Sequence, residues 1–183
     1  MERGVSDPVV SSIVGNLRPE SRTHVIARTL LGTISAELGT APGLEIDLAA
    51  LGARTLDPVD AGAIRAVEEV LDADVLVVAS PTYKATYSGL LKSFLDRIGT
   101  GALTGKAAVP VLLGGAPNHQ LAIDVHFTPL LLELGAAVPV RGLFVVEAEL
   151  DRFPAIAGSW ARRHAAELVA ALPYSRPLAP SNQ

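Results

Sequence analysis

Short apolar runs alternate with segments of helical spacing along most of this chain. The runs at Pro8 to Val14, Leu44 to Leu48, Val75 to Ala79, Ala107 to Leu113 and Val138 to Val146 are of strand length, rich in Val, Ile or Leu, and bounded by turn residues. Between them, Ile26, Leu30 and Ile34 recur at helical spacing, and Ile64, Val67 and Leu71 do so behind Asp60, a candidate N-cap. Leu90, Leu91, Phe94, Leu95 and Ile98 mark a third helix, and Ile156, Trp160, His164 and Leu168 a last one that Pro173 stops. Strands that are apolar without interruption are buried on both faces. Their alternation with helices predicts an α/β domain with a doubly wound parallel sheet and helices on both faces.

For five strands the expected order is the flavodoxin-like 2-1-3-4-5. The chain shows no internal repeat, low-complexity block or linker, so residues 1–183 read as one domain with its core over about 8–172. The tail from Pro173 to Gln183, with three prolines among Ser and Asn, is expected to be poorly ordered. One helix departs from the amphipathic pattern. From His119 to Leu134 it is apolar almost all round, at Leu121, Ile123, Val125, Phe127, Leu130, Leu131, Leu132 and Leu134, and it contains Pro129. Pro129 cannot donate to the carbonyl of Val125, which predicts a kink or a widened turn, and an all-round apolar helix calls for a partner.

Composition narrows the function classes. The chain has 183 residues, 49% hydrophobic and 19% charged, and no cysteine, so disulfides, thiolate metal sites and cysteine nucleophiles are excluded. Redox chemistry would have to be borrowed from a cofactor. A net charge of -4 without a basic cluster argues against nucleic acid as a partner. Residues Met1 to Pro8 lack the apolar core of a signal peptide, and no apolar run approaches the roughly 18 residues that span a bilayer. A cytoplasmic protein without a membrane partner is expected. The mean hydropathy of +0.37 is high for a monomer and points to subunit contacts, with the buried valine-rich sheet accounting for part of it.

In a doubly wound sheet, ligands collect at the carboxyl ends of the strands, where the strand order reverses. After strand 1 the chain reads Gly15, Asn16, Leu17, Arg18, Pro19, Glu20, Ser21, Arg22, Thr23 and then enters a helix. Helix-end amides, the Ser21 and Thr23 hydroxyls, and a guanidinium from Arg18 or Arg22 make a cradle for a phosphate monoester. Neither a Walker A loop nor a GxGxxG turn is present, so a mononucleotide fits better than ATP or a pyrophosphate. After strand 3, the stretch Ser80 to Gly89 offers a proline turn, Thr82, and the flat surfaces of Tyr83 and Tyr87, an edge that suits a flavin ring. Main-chain dipoles around Pro81 to Tyr83 are expected to face the negative charge of the reduced ring, and Lys84 is either solvated or catalytic. The tyrosines alternatively serve as plain packing. After strand 4, Gly114 and Gly115 let the backbone approach a ligand, and no aromatic follows, which leaves one ring face open to a nicotinamide. His24, His119 and His164 have no ligand spacing, so no metal is assigned.

These residues carry a resemblance. From about Val10 to Val146 the chain resembles the NADPH-dependent FMN reductases, and most closely the reductase components of two-component alkanesulfonate and methanesulfonate monooxygenases. The specific stretches are SPTYKATYSGLLKSFLD from Ser80 to Asp96 and LTGKAAVPVLLGGAPNHQLAIDVHFTPLLLELGA from Leu103 to Ala136, with GNLRPESRT similar to the family's phosphate loop. The resemblance implies that Asn16, Arg18, Ser21 and Thr23, with Arg22 nearby, hold the FMN phosphate. By the same resemblance Pro81, Thr82 and Tyr83, with Lys84, hold the ring, and Gly114 and Gly115 its edge. It further implies NADPH or NADH as co-substrate, an FMN-dependent monooxygenase as partner, and a homodimer or homotetramer through helix 119–134. In similar reductases that helix can carry a π-bulge beside the flavin, with a tyrosine where Val125 stands here. His126 either takes that place or is an interface histidine. A quinone or azo reductase with tightly bound FMN, and a non-enzymatic electron carrier, are the competing readings.

Overall fold

The computed structural model describes residues 7–173; the expected disorder of the tail beyond Pro173 concerns residues outside them. Five parallel strands, β1 (Val10–Val14), β2 (Pro42–Asp47), β3 (Val75–Pro81), β4 (Ala107–Gly114) and β5 (Leu143–Val146), form one sheet in the order β2-β1-β3-β4-β5. This is the flavodoxin-like arrangement the apolar runs predict. Every residue of β1, β3 and β4 is buried, as central strands covered on both faces must be.

The helices are α1 (Arg22–Leu38), α2 (Ala61–Asp72), α3 (Gly89–Leu95), α4 (Thr128–Glu133) and α5 (Phe153–Ala170). Alternation along the strands divides the core. Val10, Val14, Val75, Val77, Val109 and Val111 pack on one face with Ile26, Leu30 and Ile34 of α1 and Phe153, Ala157 and Leu168 of α5. Ile13, Leu76, Val78, Ala108 and Leu112 pack on the other with Leu91 and Phe94 of α3, Val70 of α2 and Leu131 of α4. Asp60 does cap α2, its Oδ1 accepting the Ala63 N–H at 2.8 Å.

Two elements differ from the apolar pattern. The last strand starts at Leu143 rather than Val138. Pro139 cannot donate to a ladder, and the Gly142 backbone lies against the carbonyl of Pro110, so continuous pairing with β4 begins only at Val111 and Leu143. The segment 119–134 is not one helix. A 3-10 turn at Pro117–His119 is followed by a π-helical turn, Ile123–Phe127, in which the Thr128 N–H reaches five residues back to the Ile123 carbonyl. Only then does α4 begin, with Pro129 in its first turn, where no N–H is required of it. The widened turn is the one Pro129 predicts. The apolar positions separate as well: Ile123, Phe127, Leu131 and Leu134 are buried, while Leu121, Val125 and Leu132 face outward.

Candidate active site

The loops after β1, β3 and β4 meet at the carboxyl edge of the sheet, beside the reversal of strand order between β1 and β3. In the first loop, Asn16 and Thr23 are both buried. Asn16 Nδ2 donates to Thr23 Oγ1 at 3.1 Å, and Asn16 Oδ1 accepts the Arg18 N–H at 3.0 Å. These two side chains therefore shape the loop through one another. Ser21 caps α1, its Oγ accepting the His24 N–H at 3.2 Å, and no acidic residue stands in the helix's first turn. The N–H groups of Ser21, Arg22 and Thr23 have no acceptor among the described residues, so three aligned donors and the positive end of a seventeen-residue helix face the loop. The two arginines differ in their pairing. Arg22 Nη1 binds Glu147 Oε2 at 2.8 Å, whereas Arg18 is exposed and has no ion-pair partner among the described residues.

The second loop is a tight turn. Tyr83 N–H donates to Thr86 O at 2.8 Å and Thr86 N–H to Tyr83 O at 3.2 Å, which closes a two-residue hairpin over Lys84 and Ala85. Both central residues have positive φ, 50° and 64°, the signs of a type I′ turn that usually takes Asn or Gly. A side chain in that region costs on the order of 1 kcal/mol. Thr82 N–H donates to Leu113 O at 2.7 Å. The amides of Thr82 and Tyr83 are thus already used, and Pro81 has none, which corrects the assignment of ring-facing dipoles to Pro81–Tyr83. The N–H groups of Lys84, Ala85, Tyr87 and Gly89 have no acceptor among the described residues. Thr82 Oγ1, by contrast, is buried with no partner. Tyr83 is 49% exposed, while the half-buried Tyr87 ring packs on Phe127 of the π turn with centroids 5.3 Å apart. The Lys84 side chain is exposed and unpaired among the described residues.

The third loop separates its two glycines. A Cβ on Gly114 would lie 2.5 Å from Cζ of Phe144, so this glycine makes room for β5. A Cβ on Gly115 would meet nothing within 4 Å. Open space thus adjoins Gly115. The Asn118, His119 and His126 side chains are exposed, and His126 has no partner among the described residues.

Sequence reasoning missed the serines that join these loops. Ser88 Oγ donates to Gly15 O at 2.5 Å and accepts the Leu91 N–H at 3.1 Å, while Ser88 N–H donates to Ser80 Oγ at 2.8 Å. A serine directly before an apolar helical run is an N-cap signature, so Ser88 was detectable as a cap. Its reach to Gly15, 73 residues away, was not.

Beneath the first loop, His24 Nε2 lies 2.8 Å from Glu45 Oε2, and Asp47 Oδ2 lies 3.2 Å from Nδ1 without hydrogen-bond alignment. Arg28 Nε also binds Glu45, at 2.9 Å. Burial pushes the Glu45 carboxyl up, but hydrogen bonds from Arg28 and His24 outweigh it and hold the group below the usual carboxylate value. The cluster ties α1 to the edge strand.

The fold defines an α/β protein of the flavodoxin-like class, with unpaired N–H donors at the start of α1 and open groups at Tyr83 and Gly115 in the neighbouring loops. The chain belongs to the NADPH-dependent FMN reductase family, whose model matches residues 8–151. It is 34% identical over 155 residues to an FMN reductase (NADPH) of Pseudomonas aeruginosa, covering 79% of this chain and 80% of that one. A match of 41% over 83 residues to FMN reductase (NADPH) of Escherichia coli spans 45% of this chain and 44% of that protein. The solved apo structure of an NADH:FMN oxidoreductase (EMOB) superposes with a TM-score of 0.81 at 32% identity, over 93% of this chain and 92% of that one. No helix among the described residues is long and apolar enough to cross a membrane.

The residues present fit FMN. A phosphate monoester needs several convergent donors, which the start of α1, with no acidic residue in its first turn, and Arg18 provide; the carboxylate of Glu147 is neutralised by Arg22. The orphaned Thr82 hydroxyl, the Lys84 and Ala85 amides and the space at Gly115 suit a flat polar ring.

Proposed function

We propose that this protein binds FMN and a reduced nicotinamide nucleotide together and releases reduced FMN to a separate flavin-dependent monooxygenase. The observation that carries the proposal is the donor-lined anion seat at the start of α1 beside an edge that no aromatic residue closes at Gly114 to His119. When bound, FMN supplies the hydride-accepting centre, and the chain supplies position and charge. Arg18, the Ser21 hydroxyl and the amides of Ser21 to Thr23 hold the phosphate; Asn16 and Thr23 keep that loop in shape. Pro81, Thr82 and Tyr83 border the ring, with the Thr82 hydroxyl and the Lys84 and Ala85 amides as its donors. With the ring bound against this loop, those dipoles would face the negative charge it gains, and fixed dipoles in a site shielded from water stabilise such charge without reorganising. An open face at Gly115 admits the nicotinamide. A carrier would gain from closing that face with an aromatic.

His126 and Lys84 remain free exposed groups at the rim, and neither is required for this division of labour. The outward Leu121, Val125 and Leu132 support self-association through the 119–134 segment, as a dimer or tetramer, because exposed apolar side chains favour burial. The reaction draws on the reduced nicotinamide pool, which supports a cytoplasmic location.

The test is anaerobic mixing of a small amount of protein with excess FMN and NADPH, and in parallel NADH. Loss of the oxidised flavin spectrum over many turnovers is expected with at least one of the two. Bleaching that stops at one equivalent per protein would instead support tightly held FMN and a quinone or azo acceptor.

A further inference from the structure

We infer that Ser88 is a positioning residue that fixes the spacing between the phosphate end and the ring end of the flavin site, an inference that rests on the FMN reading above. The hydroxyl has one proton, and it goes to the carbonyl of Gly15 at 2.5 Å. Its lone pair accepts the Leu91 N–H, which caps α3. The Ser88 N–H is held by Ser80 Oγ, whose own proton goes to Pro81 O at 2.8 Å. Gly15 N–H meanwhile donates to Ala79 O at 2.8 Å. The residue immediately before Asn16 is therefore fastened at both its N–H and its C=O to β3 and the loop that follows it.

Packing reinforces the fastening. A Cβ on Gly15 would lie 2.4 Å from the Leu91 Cβ, so the first turn of α3 rests directly on the Gly15 backbone. Ser80, Ser88 and Leu91 are at most 1% exposed, which leaves no water to replace a lost bond. A cap alone would not select serine, since Asp and Asn cap helices equally well. The Gly15 carbonyl, however, needs a donor, and an ionised Asp has none. One buried hydroxyl that donates to the first loop and accepts from the third helix satisfies both demands.

The consequence concerns ligands that touch both ends. FMN engages the α1 amides and the Tyr83 loop at once, so its affinity depends on how well the two are held at matching distance. Lumiflavin, which has the ring without the phosphate chain, meets only the second loop and is indifferent to the spacing.

Dissociation constants for FMN and lumiflavin, measured by fluorescence quenching on the whole chain, test this in Ser88→Ala and in Ser88→Cys, which keeps the size with a weak donor. Asp60→Ala, which removes the equivalent cap of α2, serves as the control for lost helix stability. The expected result is an FMN constant raised about tenfold, the worth of one buried hydrogen bond, with lumiflavin changed by less than about twofold. The KM for FMN should follow while kcat changes little, and Asp60→Ala should leave the ratio of the two flavins unaltered. If Ser88→Ala does not fold, Ser88→Cys decides. An unchanged ratio in the Ser88 variants, or equal weakening of both flavins, overturns the inference. A wild-type chain that binds neither flavin overturns the FMN reading itself.

Discussion

At the scale of single residues, the site divides into groups that face a ligand and groups that hold those groups in place, and hydrogen bonding tells them apart. The Arg18 guanidinium has no partner among the described residues, and Arg22 is paired with Glu147. Arg18→Ala should therefore raise the KM for FMN about tenfold or more, the range for a charge-assisted hydrogen bond, and leave riboflavin affinity nearly unchanged. Arg22→Ala should have a small effect on both, and titration of the two variants with the two flavins checks this. The glycines separate in the same way. Gly115→Val should weaken flavin binding without lowering the melting temperature, because its added atoms enter open space. Gly114→Ala should cost about 1–3 kcal/mol of stability by overpacking Phe144. Glycine pairs look alike in a sequence, and only the position of Phe144 on the neighbouring strand gives them different surroundings. Glu45 sets an acid limit. Its folded pKa lies below the unfolded value near 4.5, so the stability it carries is complete above that value and is lost as pH falls through the folded one. Glu45→Gln should be less stable than wild type at neutral pH, by about 1 kcal/mol or less for a partly exposed pair, and the urea midpoints should converge in acid.

At the scale of elements, what is local was readable and what depends on neighbours was not. The five apolar runs and the Asp60 cap follow from period and residue type, and the structure places strands and a cap there. Strand β5 is shorter than its apolar run because Pro139 and the Gly142–Pro110 contact interrupt pairing, a long-range effect. The π turn at Ile123–Phe127 was legible as a consequence of Pro129, but its pairing of Phe127 with Tyr87 was not. The same turn sets Leu121 and Val125 outward. Leu121→Glu combined with Val125→Glu should shift the protein to a smaller species in light scattering, with the far-ultraviolet spectrum retained. Unchanged mass would show that self-association, if present, uses another surface.

At the scale of the whole molecule, the sheet order brings three sequence-distant loops to one edge, and the function follows from what that edge leaves open. The proposed phosphate seat, ring border and unclosed face lie on separate segments, each ambiguous alone: a capped turn, two tyrosines, a glycine pair. Their joint reading came from the predicted topology, which sends the ends of β1, β3 and β4 to the same place. Topology could not reveal which amides were already used, and that decides how the ring would be held. The central claim is that the chain reduces FMN as a substrate with electrons from a reduced nicotinamide. Its most direct test is the rate of NADPH and NADH oxidation by the purified protein with and without added FMN, taken with the absorbance spectrum of the protein as isolated. A colourless protein whose activity requires FMN and saturates with it is the predicted result; a yellow protein inert to both nucleotides would contradict the enzymatic account while leaving the fold intact.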